Sequence, residues 1–211
     1  MIEWSVDAFR ACKSVRSIVV AAPPGPIGEL GGQDLTVVAG GATRAQSVAN
    51  ALEAVGTGYV AIHDAARPLL TSALVEALVA DLDANPDAAG VIAAAPVSDT
   101  IKRAVKNLSG QLSTNTVPNR PLAVEGTEDR SRLWSAQTPQ VFRTEALREA
   151  LAAAEKSEEA TDDAMLVEAA GGTVLLHPVE EANLKVTTPL DLRVAELLLA
   201  ERVGSQSRSN T

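Results

Sequence analysis

An α/β fold with a mostly parallel sheet covered on both faces is what this sequence predicts. Two features carry that expectation: apolar strand-like runs alternate with amphipathic helical segments, and the runs are apolar nearly throughout, as strands buried on both faces must be. A third supports it. Of the 211 residues, 46% are hydrophobic but only 2% aromatic, so the core is built from Ala, Val and Leu, the residues that pack helices onto strands.

In chain order, strands are predicted at 17–22 (SIVVAA), 35–40 (LTVVAG), 58–63 (GYVAIH), 89–96 (AGVIAAAP) and 172–179 (GTVLLHPV), each bounded by Gly, Pro or Asp or a short polar stretch. Helical spacing covers 3–12, 43–55, 72–84, 143–156, 161–170 and 188–203. Three of these have start signals: Thr43 with Gln46 three residues on, Thr161 ahead of two aspartates, and Thr188 followed by Pro189. The stretch 104–128 is rich in Ser, Asn, Thr and Pro and lacks periodicity, which suggests an arm or long hairpin projecting from the domain. One domain over 1–203 is expected, with the arm at about 101–130 and a small polar tail, 204–211, predicted to be disordered.

The formal charge of −9 repels polyphosphate and nucleic acid at long range, so any anionic ligand has to be held by local Lys and Arg. Together with the scarcity of aromatics for base stacking, this argues against a DNA or RNA partner. A single cysteine, Cys12, leaves no disulfide framework and no zinc cluster. With no apolar run of spanning length and no signal-peptide pattern, a soluble cytoplasmic protein is expected.

Candidate chemistry lies where strands end, because ligands of open parallel sheets bind beyond the strand carboxyl ends. In YVAIHDAARPLL (59–70), Asp64 and Arg67 follow directly after a strand. Two alanines permit close ligand approach and Pro68 fixes the turn. Such an acid and base suit a sugar hydroxyl and a phosphate. A salt-bridged loop end reads these six residues equally well. In GGATRAQSV (40–48), two glycines precede a helix whose first turn carries Arg44 and Ser47, an arrangement that suits a nucleotide or, alternatively, only a tight strand-to-helix turn. Asp162 and Asp163 read in isolation as helix N-terminal charges, and Lys185 as a solvated base.

Taken in order, HDAARP, SDTIKR (98–103), EDRSRLWSAQTPQVF (128–142), ATDDAML (160–166) and ANLKVTTPLDL (182–192) resemble the bacterial 2-C-methyl-D-erythritol 4-phosphate cytidylyltransferases of the non-mevalonate isoprenoid route. The resemblance runs from residue 2 to about 202, interrupted in the arm. It implies a Rossmann-like three-layer sandwich with a projecting β-arm and a homodimer formed through that arm. It also implies an enzyme that condenses CTP with the methylerythritol phosphate, with Mg²⁺ bound mainly through the CTP phosphates. By the same resemblance, Asp64, Arg67, Thr100, Thr138 and Thr161 are substrate-binding, and Gly41, Ser47 and Ala65 contact the nucleotide. Arg130 and Lys185 are the catalytic candidates for positioning the attacking phosphate. Thr100 and Arg130 would be delivered to the neighbouring subunit, while Thr138, Thr161 and Lys185 serve their own. No protein metal ligand is expected.

The chain departs from the family in three ways. Members begin with a strand and a glycine-rich loop bearing basic residues, whereas MIEWSVDAF matches only beyond that region, so Met1 reads as an internal methionine and the first central strand and loop as absent from this chain. The Gly-rich stretch 21–33 is no substitute, since no Lys or Arg occurs between Pro23 and Thr43. Ala42 stands where members usually carry an acid, and the arm is longer than expected. Loss of a central strand predicts exposed hydrogen-bonding edges and apolar faces, and makes the activity of the 211 residues alone doubtful. Two other readings remain: a ribitol-5-phosphate cytidylyltransferase, and a non-catalytic module that binds a sugar phosphate or dimerises.

Overall fold

The computed structural model describes residues 1–23, 34–105, 122–154, 162–179 and 182–209, with side chains up to 204 in the last segment. The chain order is α1 (Ile2–Arg10), β1 (Ile18–Ala22), β2 (Leu35–Ala39), α2 (Arg44–Leu52), β3 (Tyr59–Ile62), α3 (Ser72–Ala84), β4 (Gly90–Pro96), β5 (Lys102–Ala104), β6 (Val124–Thr127), β7 (Trp134–Arg143), α4 (Thr144–Ala154), α5 (Asp163–Ala169), β8 (Val174–Pro178) and α6 (Pro189–Ser209). All five predicted strands and all six predicted helices form, within a few residues of their expected limits.

A four-stranded sheet in the order β3-β7-β4-β8 makes the centre. β4 and β8 are parallel, and β7 runs antiparallel between β3 and β4. Successive residues of β4 and β7 enter opposite cores, as the two-residue period of a strand requires. Ile92 and Phe142 pack with Leu52 of α2, Leu147 of α4 and Val167 of α5 on one face. Val91, Ala93 and Val141 pack with Leu78 and Leu82 of α3 on the other. The result is the three-layer α/β sandwich.

β1 and β2 form a separate parallel pair, with α1 packed on β1 through Val6, Ile18 and Val20. Among the described residues β1 pairs only with β2, and β3 only with β7. The free sides of β1 and β3 both line one cavity of about 730 Å³, whose walls include Val20, Val48, Val60, Ile62 and Val75. Among the described residues, the free edges of β1 and β3 stand beside this apolar space.

Three differences from the sequence reading have physical causes. The longest strand, β7, was not foreseen, because WSAQTPQVFR carries Gln137, Thr138, Pro139 and Gln140 in its middle. Its register with β4 shifts between Ile92 and Ala94, and its pairing with β3 stops at Gln140, so Pro139 falls in an irregularity where no ladder donor is missed. α5 starts from Asp162, whose side chain accepts from the Met165 amide; the predicted start at Thr161 lies outside the described residues. α6 continues past Val203 to Ser209, where the sequence predicted a disordered tail. Only Gly204 interrupts helix-tolerant residues there, a cost of roughly 1 kcal/mol that one position can bear.

The predicted start signals of α2 and α6 hold. Thr43 accepts from the Gln46 amide at 3.1 Å. Thr188 and Asp191 cap reciprocally: the Asp191 amide donates to Thr188 Oγ1 at 3.2 Å and the Thr188 amide to Asp191 Oδ2 at 2.8 Å. At the arm, β5 and β6 pair antiparallel, which fits a hairpin base; residues 106–121 lie outside the described set.

Candidate active site

The loop after β3 holds the site's centre, and β7 sets its shape. Thr138 is 4% exposed, and its Oγ1 accepts from the Asp64 amide at 3.0 Å and meets His63 Nδ1 at 3.1 Å. His63 Nε2 lies 3.1 Å from the Arg67 carbonyl, so the imidazole is fixed at both nitrogens. Burial drives the pKa of His63 down to about 4, which leaves the ring neutral near pH 7.

Asp64 projects from this braced turn between two cations. Lys185 Nζ is 2.9 Å from Oδ2 and Arg44 Nε 3.6 Å from Oδ1. Burial works to raise its pKa, but Lys185, Arg44 and Arg67 together outweigh it and hold the carboxyl below the usual range. Lys185 is half exposed, so its ammonium remains available to solvent and ligand.

Across the cavity mouth stands the start of α2. The Gly41 amide donates to Ser47 Oγ at 3.0 Å, and Ser47 Oγ donates to the Thr43 carbonyl at 3.0 Å. Any Cβ at Gly41 would lie 2.3 Å from Gln46 Cβ, so only glycine lets the strand end approach the helix this closely. Ser47, Arg44, Asp64 and Ala65 all line the 730 Å³ cavity. The predicted nucleotide side and polyol side therefore face one space.

Not every predicted residue joins them. Arg67, expected to offer a phosphate-binding guanidinium, is 9% exposed and donates Nη1 to the Asn183 carbonyl at 2.6 Å. It ties the β3 loop to the segment carrying Lys185, which a Val186 amide to Ala66 carbonyl bond of 2.7 Å also secures. Arg67 thus positions the strap, and the bland reading of a braced loop end accounts for its contacts. Arg130 lies at the arm base, where Nη1 donates to the Ser98 carbonyl. It lines a separate open cavity of about 510 Å³ with Asp129 and Trp134, and within one chain it does not meet Lys185. Thr100 is exposed, two residues ahead of β5. Thr161 lies outside the described residues.

Three contributors were missed or undervalued. Asn183 donates Nδ2 to Gln137 Oε1 at 2.9 Å and to the Thr138 carbonyl at 2.8 Å, locking β7 to the strap. Gln140, 1% exposed, donates to Asp162 Oδ2 at 3.1 Å and accepts from the Ala164 amide at 3.2 Å, fixing the start of α5. Asp163, read as a helix-end charge, is 0% exposed and lies 2.7 Å from Arg44 Nη1. Its one sequence signal was position: it opens a helical turn whose next residues, Ala164, Leu166 and Val167, are apolar and buried.

Among the described residues no three His, Cys, Asp or Glu side chains converge on a metal-sized site. Asp64, which lines the cavity, and the buried Asp163 are already matched by Arg44 and Lys185. That donor set does not fit a protein-held Mg²⁺.

Comparisons with known proteins agree with this geometry. The family model described as IspD: 2-C-methyl-D-erythritol 4-phosphate cytidylyltransferase matches residues 1–201. The 2-C-methyl-D-erythritol 4-phosphate cytidylyltransferase of Dechloromonas aromatica is 42% identical over 96% of this chain and 86% of its own. A bifunctional enzyme IspD/IspF of an Anaeromyxobacter species is 43% identical over 97% of this chain, which spans about half (51%) of that relative's length. The crystal structure of the Thermus thermophilus 2-C-methyl-D-erythritol 4-phosphate cytidylyltransferase superposes with a TM-score of 0.73 at 36% identity, covering 93% of this chain and 87% of that one.

Proposed function

Because this chain belongs to the 2-C-methyl-D-erythritol 4-phosphate cytidylyltransferase (IspD) family, we propose that it condenses CTP with 2-C-methyl-D-erythritol 4-phosphate to give 4-diphosphocytidyl-2-C-methyl-D-erythritol and pyrophosphate. The observation that carries this reading is the Asp64–Lys185 pair, 2.9 Å apart, whose Asp64 lines the same cavity as Ser47, the acceptor of the Gly41 amide.

The nucleophile is a phosphate oxygen already ionised near neutral pH, so the reaction needs no general base. A polyol-phosphate oxygen forms a bond to the α-phosphorus of CTP while the bond to the pyrophosphate oxygen breaks, and pyrophosphate carries away the electron pair. The protein's task is alignment and charge compensation. Asp64 accepts from a polyol hydroxyl, the braced His63–Thr138 pair holding its backbone still. Lys185 moves from Asp64 to the incoming phosphate and offsets part of its charge. The turn at Gly41, Ser47 and Ala65 receives the cytidine. Magnesium, which keeps several waters and favours phosphate oxygens, would be held mainly by the triphosphate rather than by side chains of this chain and would offset part of its charge.

The arm supports a homodimer. Ile101, Val105, Leu122 and Val124 expose 37–61% of their surface around β5 and β6, a cluster of apolar side chains suited to a second copy. Such an arm would deliver Arg130 and Thr100 to the partner's pocket and complete the set of cations. All the relatives compared carry the methylerythritol name or the IspD name, which disfavours ribitol phosphate.

Pyrophosphate release measured with CTP and either polyol phosphate tests the reading. Turnover with methylerythritol phosphate, reduced about 100-fold or more by Lys185→Ala, supports it. Calorimetric binding of the sugar phosphate with no binding of CTP and Mg²⁺ would instead favour the non-catalytic module. Sedimentation of the same preparation as a monomer would remove the shared site.

A further inference from the structure

Asp163 presents a problem that the proposed chemistry does not answer. Its side chain is 1% exposed, and neither carboxylate oxygen accepts a hydrogen bond of normal geometry among the described residues. A buried carboxylate without a counter-charge is strongly disfavoured. Arg44 is the one cation within ion-pair distance among the described residues, at 2.7 Å.

Arg44 is also the first residue of α2, directly after the Thr43 cap that closes the nucleotide-facing turn. Its guanidinium is a rigid planar fork. Once Nη1 is committed to Asp163, the orientation of the fork is largely set, and Nε comes to lie 3.6 Å from Asp64 Oδ1. Asp64 Oδ2 is left to Lys185.

Among the described residues, the charged or titratable groups facing Asp64 can be named. They are Arg44 from α2, Asp163 from α5, His63 and Arg67 from its own loop, and Lys185 from the strap before α6. His63 is neutral, and Arg67, which also helps to lower Asp64, is held through Nη1 by the Asn183 carbonyl. Of the cations, only Arg44 is fixed by a buried anion, whereas Lys185 is half exposed and has no second acidic partner among the described residues.

We propose that Arg44 is a positioning residue: anchored on the buried Asp163, it holds the Asp64 carboxylate in place for the polyol and keeps that charge matched when Lys185 leaves it for the substrate phosphate. Without Arg44, departure of Lys185 would leave Asp64 only the charge of Arg67, which makes no ion pair with it within 4 Å, among the described residues. The four side chains then act as a row of alternating charge, Asp163, Arg44, Asp64 and Lys185, in which only the last is free to exchange its partner.

The inference rests on the proposed cytidylyl transfer for its purpose, but its test does not. The Asp64 carboxyl is titrated by carbon-detected NMR in the full chain as wild type, Arg44→Gln, Arg44→Lys, Asp163→Asn and the Arg44→Gln/Asp163→Asn double variant. Loss of the guanidinium removes a cation that lowers Asp64, so in Arg44→Gln its midpoint moves to higher pH; Arg44→Lys returns most of the shift. With the anchor gone, the shift caused by Arg44→Gln falls to less than half of its value in the wild-type background. An Asp64 midpoint indifferent to Arg44→Gln, or moved equally in both backgrounds, overturns the proposal. In turnover, Arg44→Gln raises KM for the polyol phosphate about tenfold while KM for CTP changes little. Equal losses for both substrates would also overturn it. A wild-type chain that shows the Asp64 shifts but transfers no cytidylyl group sinks the functional reading and leaves the anchored pair standing.

Discussion

β2 and β4 are similar apolar sequences with different fates. LTVVA is mostly exposed, with Val37 46% accessible, whereas GVIAAAP is buried through its first five residues. The difference lies in neighbours rather than in composition. β4 has a strand on each side and a helix layer on each face, so both of its alternating rows enter a core. β2 is the edge of a two-stranded pair. Hydrophobicity states that a strand can be buried; sheet position decides whether it is.

The largest expected contrast comes from truncating one side chain in each region. Phe142→Ala, from a fully buried site in β7, should cost about 3–5 kcal/mol, and Val37→Ala well under about 1 kcal/mol, in denaturant unfolding at constant m-value. Comparable losses at both positions would mean that the two sheets share one core after all.

A pH titration sharpens the same contrast. His63 is neutral in the folded chain, its pKa lowered to about 4 by burial from the ordinary 6.5. Its contribution is therefore intact above pH 6.5 and drains away as pH falls through the window from 6.5 to about 4, because the unfolded chain takes up the proton first. The full shift corresponds to roughly 3 kcal/mol at most, discounted for partial solvent access. Melting temperature followed over that window should fall more steeply for wild type than for His63→Gln; identical slopes would show that the ring is not held neutral.

A smaller effect is expected from glycines. A Cβ on Gly90 would sit 2.3 Å from a ring carbon of Phe142, while one on Gly58 meets nothing within 4 Å. In the same unfolding assay, Gly90→Ala should destabilise by about 1–3 kcal/mol and Gly58→Ala by about a few tenths at most.

The sequence reading recovered what periodicity and capping encode. Five strands, six helices and the start signals at Thr43 and Thr188 all belong to local rules. β7 escaped because its polar middle is satisfied from a distance, Thr138 by Asn183 and Gln140 by α5, and nothing local announces those partners. The site was legible in part. Asp64, Ser47 and Ala65 line one cavity, with Lys185 paired to Asp64 and Gly41 bonded to Ser47, whereas Arg67, expected to meet a ligand, donates Nη1 to the backbone of Asn183. A guanidinium reads identically in sequence whether it meets a phosphate or a carbonyl. The burial of Asp163 against Arg44 was invisible for the same reason.

The split between the two sheets has one more consequence. The Gly41–Ser47 turn hangs from the β1–β2 pair, the Asp64 loop from the four-stranded sheet, and α2 is the helix that packs against strands of the first while burying Leu52 in the core of the second. α2 therefore bridges the two sides of the cleft. A change that tilts α2 would move those sides relative to each other, so truncating Val48 or Leu52, both buried, should lower turnover more than their distance from Asp64 suggests.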